Sequence, residues 1–205
     1  MKRVLTVVLL GALLAGCASQ PRAPRPAHPQ RVWVLHSAKM RAITHFALSA
    51  EGGIRAGGHG GTLMLRWVLM PQAYQMTGYG PFGRLIFRLR VNAEGAKLVT
   101  ERGRFSGPDA GALLVRLTGW RLPVAGLRFW ILGVAGPGPV TYRHVNRFGL
   151  LASLDQAGWS IRYHKYRETP WGRMPRFLTL THDGKTRQSP QVVVTIRINQ
   201  WQAAS

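Results

Sequence analysis

Two glycine-rich motifs in the sequence are typical of nucleotide-binding and hydrolytic sites. Residues 78–83, GYGPFG, match the GxGxxG fingerprint of dinucleotide-binding proteins, and Glu101 follows roughly 20 residues later, where that fingerprint has an acidic residue. The residues after Gly83 alternate with the period of a strand, so no helix N-terminus is available to hold a pyrophosphate. Residues 58–61, GHGG, are similar to the oxyanion loop of lipases, but no serine lies in a GxSxG motif. We therefore predict a flexible turn at 58–61 and no nucleotide binding.

The titratable residues that could bind a metal or transfer protons are scattered along the chain. The seven histidines form neither an HExxH motif nor a close pair, and the single cysteine supplies no ligand set for zinc. The seven acidic residues fall mostly in predicted turns or helix caps, and none forms the pair of carboxylates that acid–base catalysis uses. These patterns predict a protein that is not an enzyme and that uses no cofactor and no metal.

The position of the single cysteine predicts a covalent modification. A basic start, MKR, precedes an apolar stretch over residues 4–14, which is the pattern of a secretory signal and is shorter than the roughly 20 residues of a membrane-spanning helix. The stretch leads into LAGC, residues 14–17, which resembles the bacterial lipobox, where the cysteine is thioether-linked to a diacylglycerol and becomes the acylated N-terminus. We predict that residues 1–16 are a lipoprotein signal peptide and that Cys17 carries the lipid. The alternative is an ordinary signal peptide in which this cysteine has no role.

A proline-rich segment separates the cysteine from a single predicted domain. Residues 17–29 contain four prolines, so we expect an extended tether. Residues 30–205 have a usual length for one domain. The chain is 46% apolar and contains seven Trp and seven Phe, which is enough for a folded core.

The chain carries a large positive charge, with 28 Lys and Arg against seven acidic residues and a net charge of +21. Basic and aromatic residues are interleaved in residues 159–167, WSIRYHKYR, which in a cytosolic protein would suggest nucleic-acid binding. Because the signal sequence predicts export, we predict no nucleic-acid partner. The charge instead favours anionic lipid headgroups or an acidic partner, or it reflects a generally basic, arginine-rich proteome.

Hydrophobic periodicity predicts a helix followed by a long sheet. Trp33, Met40 and Ala47 belong to a series spaced by three and four residues, which is typical of an amphipathic helix, and we expect Gly52 and Gly53 to end it. The period then changes to two residues, which is typical of strands with one buried face. Strands are predicted at residues 62–70, 73–79, 85–91, 97–101, 159–166, 176–181 and 192–198, with tight turns at 92–95 and 182–185.

Two short helices are predicted within the sheet region. Asp109 can cap a helix whose apolar stripe runs from Ala110 to Leu117, and Gly119 would end it. A second helical turn is predicted at 123–132. The predicted fold class is therefore mainly β (α+β), an antiparallel sheet with helices against one face. Periodicity leaves open whether sheet and helices enclose a filled core or a cavity.

The most specific stretch of the chain is residues 109–133, DAGALLVRLTGWRLPVAGLRFWILG, with its helix, LTG sequence, proline-containing turn and LxxWILG sequence. It resembles the LolB family of outer-membrane lipoprotein receptors. Shorter matches extend over almost the whole predicted mature chain: Trp33 in the early helix, GI at 53–54, PFG at 81–83, GW at 158–159, MP at 174–175 and IxxW at 198–201.

The resemblance implies a fold and a function. The fold would be an incomplete antiparallel β-barrel, or half-barrel, with a helical lid that encloses an apolar cavity for acyl chains. The protein would be anchored through Cys17 to the outer membrane of a Gram-negative bacterium and face the periplasm. It would accept acylated lipoproteins from a periplasmic LolA-like carrier and insert them into the outer membrane without a nucleotide. The alternatives are an outer-membrane lipoprotein that binds a lipid or envelope ligand without insertion activity, and an anchored scaffold with a filled interior.

The resemblance also assigns a role to one loop. In the family, a hydrophobic residue in a Pro-hydrophobic-Gly loop takes part in membrane insertion, and the matching loop here is Pro81, Phe82 and Gly83, with Phe where the family often has Leu. The alternative for Phe82 is a ring that folds back onto the sheet. Acyl chains are expected to contact alternating residues of one strand and apolar residues of the lid: Leu85, Phe87, Leu89, Leu113, Leu117 and Trp130.

Overall fold

The computed structural model describes residues 26–119, 122–184 and 190–203. Cys17, the predicted signal peptide at 1–16 and most of the predicted tether at 17–29 lie outside the described residues. Among the described helices, none has the length and apolar character needed to cross a membrane.

The described ranges contain three α-helices and one sheet of eleven strands. In chain order the elements are α1 (Pro29–Arg41), β1 (Phe46–Ala56), β2 (His59–Met70), β3 (Ala73–Tyr79), β4 (Leu85–Asn92), β5 (Gly95–Thr100), β6 (Gly103–Gly107), α2 (Ala110–Thr118), α3 (Val124–Trp130), β7 (Val140–Val145), β8 (Leu151–Gln156), β9 (Trp159–Thr169), β10 (Gly172–His182) and β11 (Val192–Gln202).

The sheet is open and antiparallel, with the strand order β6-β5-β4-β3-β2-β1-β11-β10-β9-β8-β7. The first and last strands, β1 and β11, pair near its centre and join the two halves. The two edge strands, β6 and β7, are consecutive in the chain, and the connection between them contains α2 and α3. The helices therefore bridge the two edges of an unclosed sheet, which confirms the predicted half-barrel with a helical lid.

The core lies between one face of the sheet and the helices. Residues alternate between buried and exposed along the central strands, so one face of the sheet is buried. Trp33 of α1, Leu113 of α2 and Trp130 of α3 join this face in one continuous apolar cluster. We call the buried face the concave face and the opposite one the convex face.

The prediction of a helix that extends through Ala47 is wrong beyond Arg41, where α1 ends. The chain then enters β1, which pairs along its whole length with β2 and β11. Beyond Arg41 the helical spacing continues only through Ile43 and Ala47. The strand is favoured there because it forms hydrogen bonds on both edges and buries alternate side chains. Gly52 and Gly53 lie inside this strand and do not end a helix. A Cβ at Gly53 would lie 2.5 Å from Thr195 Oγ1, so glycine permits the close approach.

The seven predicted strands are present as β2–β5 and β9–β11, but four further strands were missed. Besides β1 these are β6, β7 and β8. β6 and β7 are the edge strands of the sheet, so each has a partner on one side only among the described strands. Edge strands do not need a regular alternation of apolar and polar residues. In β7 every residue except Val145 is exposed.

The two helices of the lid begin and end close to their predicted positions. Asp109 accepts a hydrogen bond from the Ala112 backbone N–H at 2.7 Å, and Gly119 has a left-handed φ of 74° at the C-cap. The second helix, Val124–Trp130, is shorter than predicted, and Gly133 lies past its end with a φ of 76°.

Candidate functional site

The C-terminal end of the lid is fixed to the sheet by buried hydrogen bonds. Gln156 of β8 is buried, and its Oε1 accepts from Trp130 Nε1 and from the Gly136 backbone N–H, both at 2.9 Å. Its Nε2 donates to the Gly136 carbonyl at 2.9 Å. Tyr163 Oη donates to the Trp130 carbonyl at 3.0 Å, and burial raises the pKa of Tyr163 well above its ordinary value, so the phenol remains a donor. Two strands therefore hold α3 at Trp130.

The other end of the lid, α2, is held largely by apolar contacts. Leu113 and Leu114 are buried in the core cluster, and Leu117 packs against its border. The Arg116 guanidinium donates to the Ser106 carbonyl at 3.3 Å, but this contact is exposed. Apolar contacts are not directional, so α2 can shift over the sheet more easily than α3, which buried hydrogen bonds hold in place.

Five of the six residues predicted to contact acyl chains come together in the cluster between lid and concave face. Leu89, Leu113 and Trp130 are buried there, and Phe87 and Leu117 are partly buried beside them. Leu85 is the exception, because an irregularity in the pairing of β3 with β4 places it opposite Tyr79. The prediction that Leu85 shares a face with Phe87 and Leu89 is therefore wrong. In this structure these five side chains belong to one continuous apolar cluster between the concave face and the lid.

The glycine-rich motifs have structural explanations. The ring of Phe87 lies across Gly78, where any Cβ would collide with it. The strand β4, and no helix, follows Gly83. The turn between β1 and β2 is formed by Gly57 and Gly58, with φ of 56° and 81°, one residue earlier than predicted. Within the described ranges, no three His, Cys, Asp or Glu side chains are grouped so that they could hold a metal ion.

The loop between β3 and β4 presents a fully exposed aromatic side chain. Phe82 has φ 58° and ψ 22°, a left-handed conformation that costs a non-glycine residue about 1–2 kcal/mol. The Gly80 N–H donates to the Arg84 carbonyl at 2.8 Å and closes the base of the loop. Pro81 restricts the backbone before the ring. A closed turn therefore holds Phe82 away from the sheet, and its ring does not fold back onto it.

Sequence patterns alone do not single out an aromatic group on the concave face. Phe46 of β1 packs edge-on against Trp67 of β2 and Trp201 of β11, with ring centroids 5.8 and 5.2 Å away. Tyr74 of β3 lies 6.1 Å from Trp67. We call these four residues the aromatic cluster. Alternation within residues 62–70 could have placed Trp67 on the buried face, but only strand pairing brings the four rings together.

Two grooves on the surface lie on the convex face, away from the lid. One has a volume of about 420 Å³ and is lined in part by Gly53, Thr62 and Thr195. The other, of about 740 Å³, follows the hairpin between β1 and β2. Gly53, Thr62 and Thr195 are direct cross-strand neighbours. Each lies an odd number of residues from a buried residue of its own strand (Ala50, Leu65 and Ile196), so they face away from the core. These grooves are depressions above small side chains, and they are separate from the space beneath the lid.

Basic residues cross the convex face over β2–β6. Arg66, Thr77, Arg88, Val99 and Arg104 are successive cross-strand partners and share that face. Nearby ion pairs, such as the one between Arg84 and Glu101 at 3.1 Å, are exposed and contribute little to stability. The positive charge therefore extends over the side of the sheet opposite the lid.

Comparison with known proteins gives consistent matches over the whole fold. A family model described as outer membrane lipoprotein LolB matches residues 44–201. The outer-membrane lipoprotein LolB of Chromohalobacter salexigens is 30% identical over 204 residues, which cover 99% of this chain and 92% of that protein. The protein of the same name from Pseudomonas putida KT2440 is 32% identical over 206 residues, covering 98% of this chain and 96% of the relative.

A solved structure shares the fold at much lower sequence identity. The crystal structure of a LolA superfamily protein from Nitrosomonas europaea aligns with a TM-score of 0.54 and 6% identity, covering 87% of this chain and 95% of that one. At this identity the likeness concerns the fold, an open antiparallel sheet with helices on one face.

Proposed function

Because the chain belongs to the LolB family of outer-membrane lipoproteins, we propose that its lidded sheet receives acylated lipoproteins from a periplasmic LolA-like carrier and delivers them to the outer membrane. Family membership gives the location, the outer membrane, and the process, lipoprotein localisation. The residues that perform the two steps are argued below from the structure.

The observation that carries the proposal is the lid packed on the concave face. The lid contributes Leu113, Trp130 and other apolar side chains to a continuous cluster, so helices and sheet meet through apolar groups. An acyl chain that displaces such side chains exchanges one apolar contact for another. Such an exchange has a small net free energy and needs no nucleotide. We expect α2 to move during entry, while Gln156 and Tyr163 keep the end of α3 in place.

Delivery would use the Phe82 loop. A fully exposed aromatic ring in a strained backbone conformation contributes nothing to the core, and such strain is commonly retained at functional sites. The ring can enter the bilayer surface and bring the lid region close to the membrane that receives the lipoprotein. A protein that only stores a lipid or another envelope ligand has no need for this loop, so the first alternative is less well supported.

The scaffold alternative predicts a filled interior, and a receptor with its lid closed has one too. The family match favours the receptor. A lipoprotein-transfer experiment distinguishes the receptor from the scaffold. We expect the anchored protein in liposomes to take up an acylated lipoprotein from a loaded LolA-like carrier, so that the cargo co-floats with the liposomes. Protein-free liposomes and a cargo without acyl chains are the controls. Cargo that stays on the carrier would contradict the proposal.

The lipid anchor at Cys17 is a separate prediction. Mass spectrometry of the mature protein should show an N-terminal Cys17 carrying the diacylglyceryl and amide-linked acyl groups. Cys17→Ser should leave the domain folded but move it from the membrane fraction to the soluble or unprocessed fraction, because two or three acyl chains hold a protein to a bilayer far more firmly than one. An unmodified mature N-terminus, or cleavage at another bond, would refute the prediction.

A further inference from the structure

The indole of Trp67 is buried beneath the lid with an unused hydrogen-bond donor. Trp67 is 1% exposed, and its Nε1 has no hydrogen-bond partner in the described part of the chain. Its cross-strand partners are Leu48 and Met76, which place it on the concave face. Buried donors are nearly always paired, and leaving one unpaired is unfavourable. The rings beside it, Phe46 and Tyr74, offer only weak π acceptors.

Three other indole and phenol groups on the concave side are paired. Trp130 Nε1 donates to Gln156, Tyr163 Oη to the Trp130 carbonyl, and Tyr166 Oη to the Leu151 carbonyl at 2.9 Å. The fold is therefore able to satisfy such groups, whereas Trp67 Nε1 has no partner among the described residues. Trp201, on the other side of Leu48 in the same cross-strand row, also has an Nε1 without a partner among the described residues.

Tyr74 adds a second hydrogen-bonding group to the aromatic cluster. Burial, and then the negative charge of Asp109 at the N-cap of α2, raise the pKa of Tyr74 to about 12, while Arg128 of α3 acts in the opposite direction. Its hydroxyl therefore stays protonated at neutral pH and remains a donor. The side chain is half-buried, and its ring centroid lies 6.1 Å from that of Trp67.

We propose that Trp67 Nε1, with the Tyr74 ring packed beside its indole, binds the carbonyl oxygens of the ester or amide groups that attach acyl chains to a lipoprotein. The inference rests on the proposed function and specifies what the site recognises: an acyl linkage as well as a hydrocarbon chain. A carbonyl that enters apolar surroundings loses its hydrogen bonds to water. The Trp67 N–H can donate a hydrogen bond that replaces one of those lost, and its own hydrogen-bonding capacity is then used. The apolar cluster accommodates the chain, and the indole determines how far it enters.

The test compares two lipids that differ only in that carbonyl. The full chain carrying Cys17→Ser, so that no lipid of its own competes, is titrated with a diacyl ester phospholipid and with the dialkyl ether phospholipid of equal chain length. We expect the ester to bind about threefold to tenfold more tightly, the contribution of one hydrogen bond. In Trp67→Phe this preference should fall to about one, with affinity for the ether nearly unchanged. Trp159→Phe, which alters an indole outside the aromatic cluster, should keep the preference.

A second measurement needs no variant and covers the case in which Trp67→Phe does not fold. The Trp67 indole N–H resonance of the Cys17→Ser chain should move downfield in nuclear magnetic resonance spectra with the ester lipid and not with the ether lipid. Equal binding of ester and ether by a chain that binds both would overturn the inference and leave the proposed function standing. An equal loss of both affinities in Trp67→Phe would assign Trp67 to packing alone and would also overturn it. If neither lipid binds, the proposed function fails and the inference with it.

Discussion

Replacing Phe82 with glutamate is expected to leave the fold and the acceptance of cargo intact and to reduce delivery into liposomes at least about tenfold. The ring is fully exposed, so its loss removes no core contact. Burying a phenylalanine in an apolar phase is worth about 1.5–3 kcal/mol, which is roughly tenfold or more in membrane partition, and a carboxylate opposes entry further. The measurement is the fraction of cargo that moves from a loaded carrier into liposomes.

Two variants at the same position separate apolarity from backbone strain. Phe82→Leu keeps an apolar side chain and should retain delivery. Phe82→Asn should impair delivery while thermal stability stays equal or rises, because asparagine tolerates the left-handed conformation better than phenylalanine. If Phe82→Glu unfolds the protein, the ring has a structural role. Unchanged delivery would remove the loop from the mechanism.

Gln156→Leu is expected to lower the free energy of unfolding by about 3 kcal/mol or more. The change removes the acceptor of the buried Trp130 Nε1 and of the half-buried Gly136 N–H, and each buried donor left unpaired costs about 1–3 kcal/mol. The Gly136 carbonyl also loses its donor. Urea unfolding followed by fluorescence or circular dichroism measures the difference. A loss below about 1 kcal/mol would show that the network does not hold the lid.

Gln200→Leu is the matched control for that variant. Gln200 lies in β11 with an exposed side chain, opposite Ser49. The same chemical change there should alter the free energy of unfolding by no more than about 0.5 kcal/mol. The contrast isolates the buried network from the general effect of exchanging glutamine for leucine in a strand.

Local patterns predicted those parts of the fold that depend on near neighbours in the chain. The cap at Asp109 and the left-handed stop at Gly119 involve contacts within one helix, and both are present. The strand at 73–79 has the predicted bounds. The predicted helix at 33–47 is wrong beyond Arg41. Local spacing carries no information about the partner strands that pair with both edges of Phe46–Ala56.

The sequence by itself determined the family, the mainly β class, the lid helices and the Pro-Phe-Gly loop, since each depends on residue types at short spacings. Only the tertiary structure decided that Leu85 leaves the face of Phe87 and Leu89 and that Gln156 holds Trp130. It also decided that Trp67 is buried with an Nε1 donor that no described residue accepts. Each of these depends on register, on a bulge, or on residues far apart in the chain. The face that a side chain occupies in a sheet depends on the register of its strand and on any bulge in the pairing. A local sequence pattern specifies neither of these.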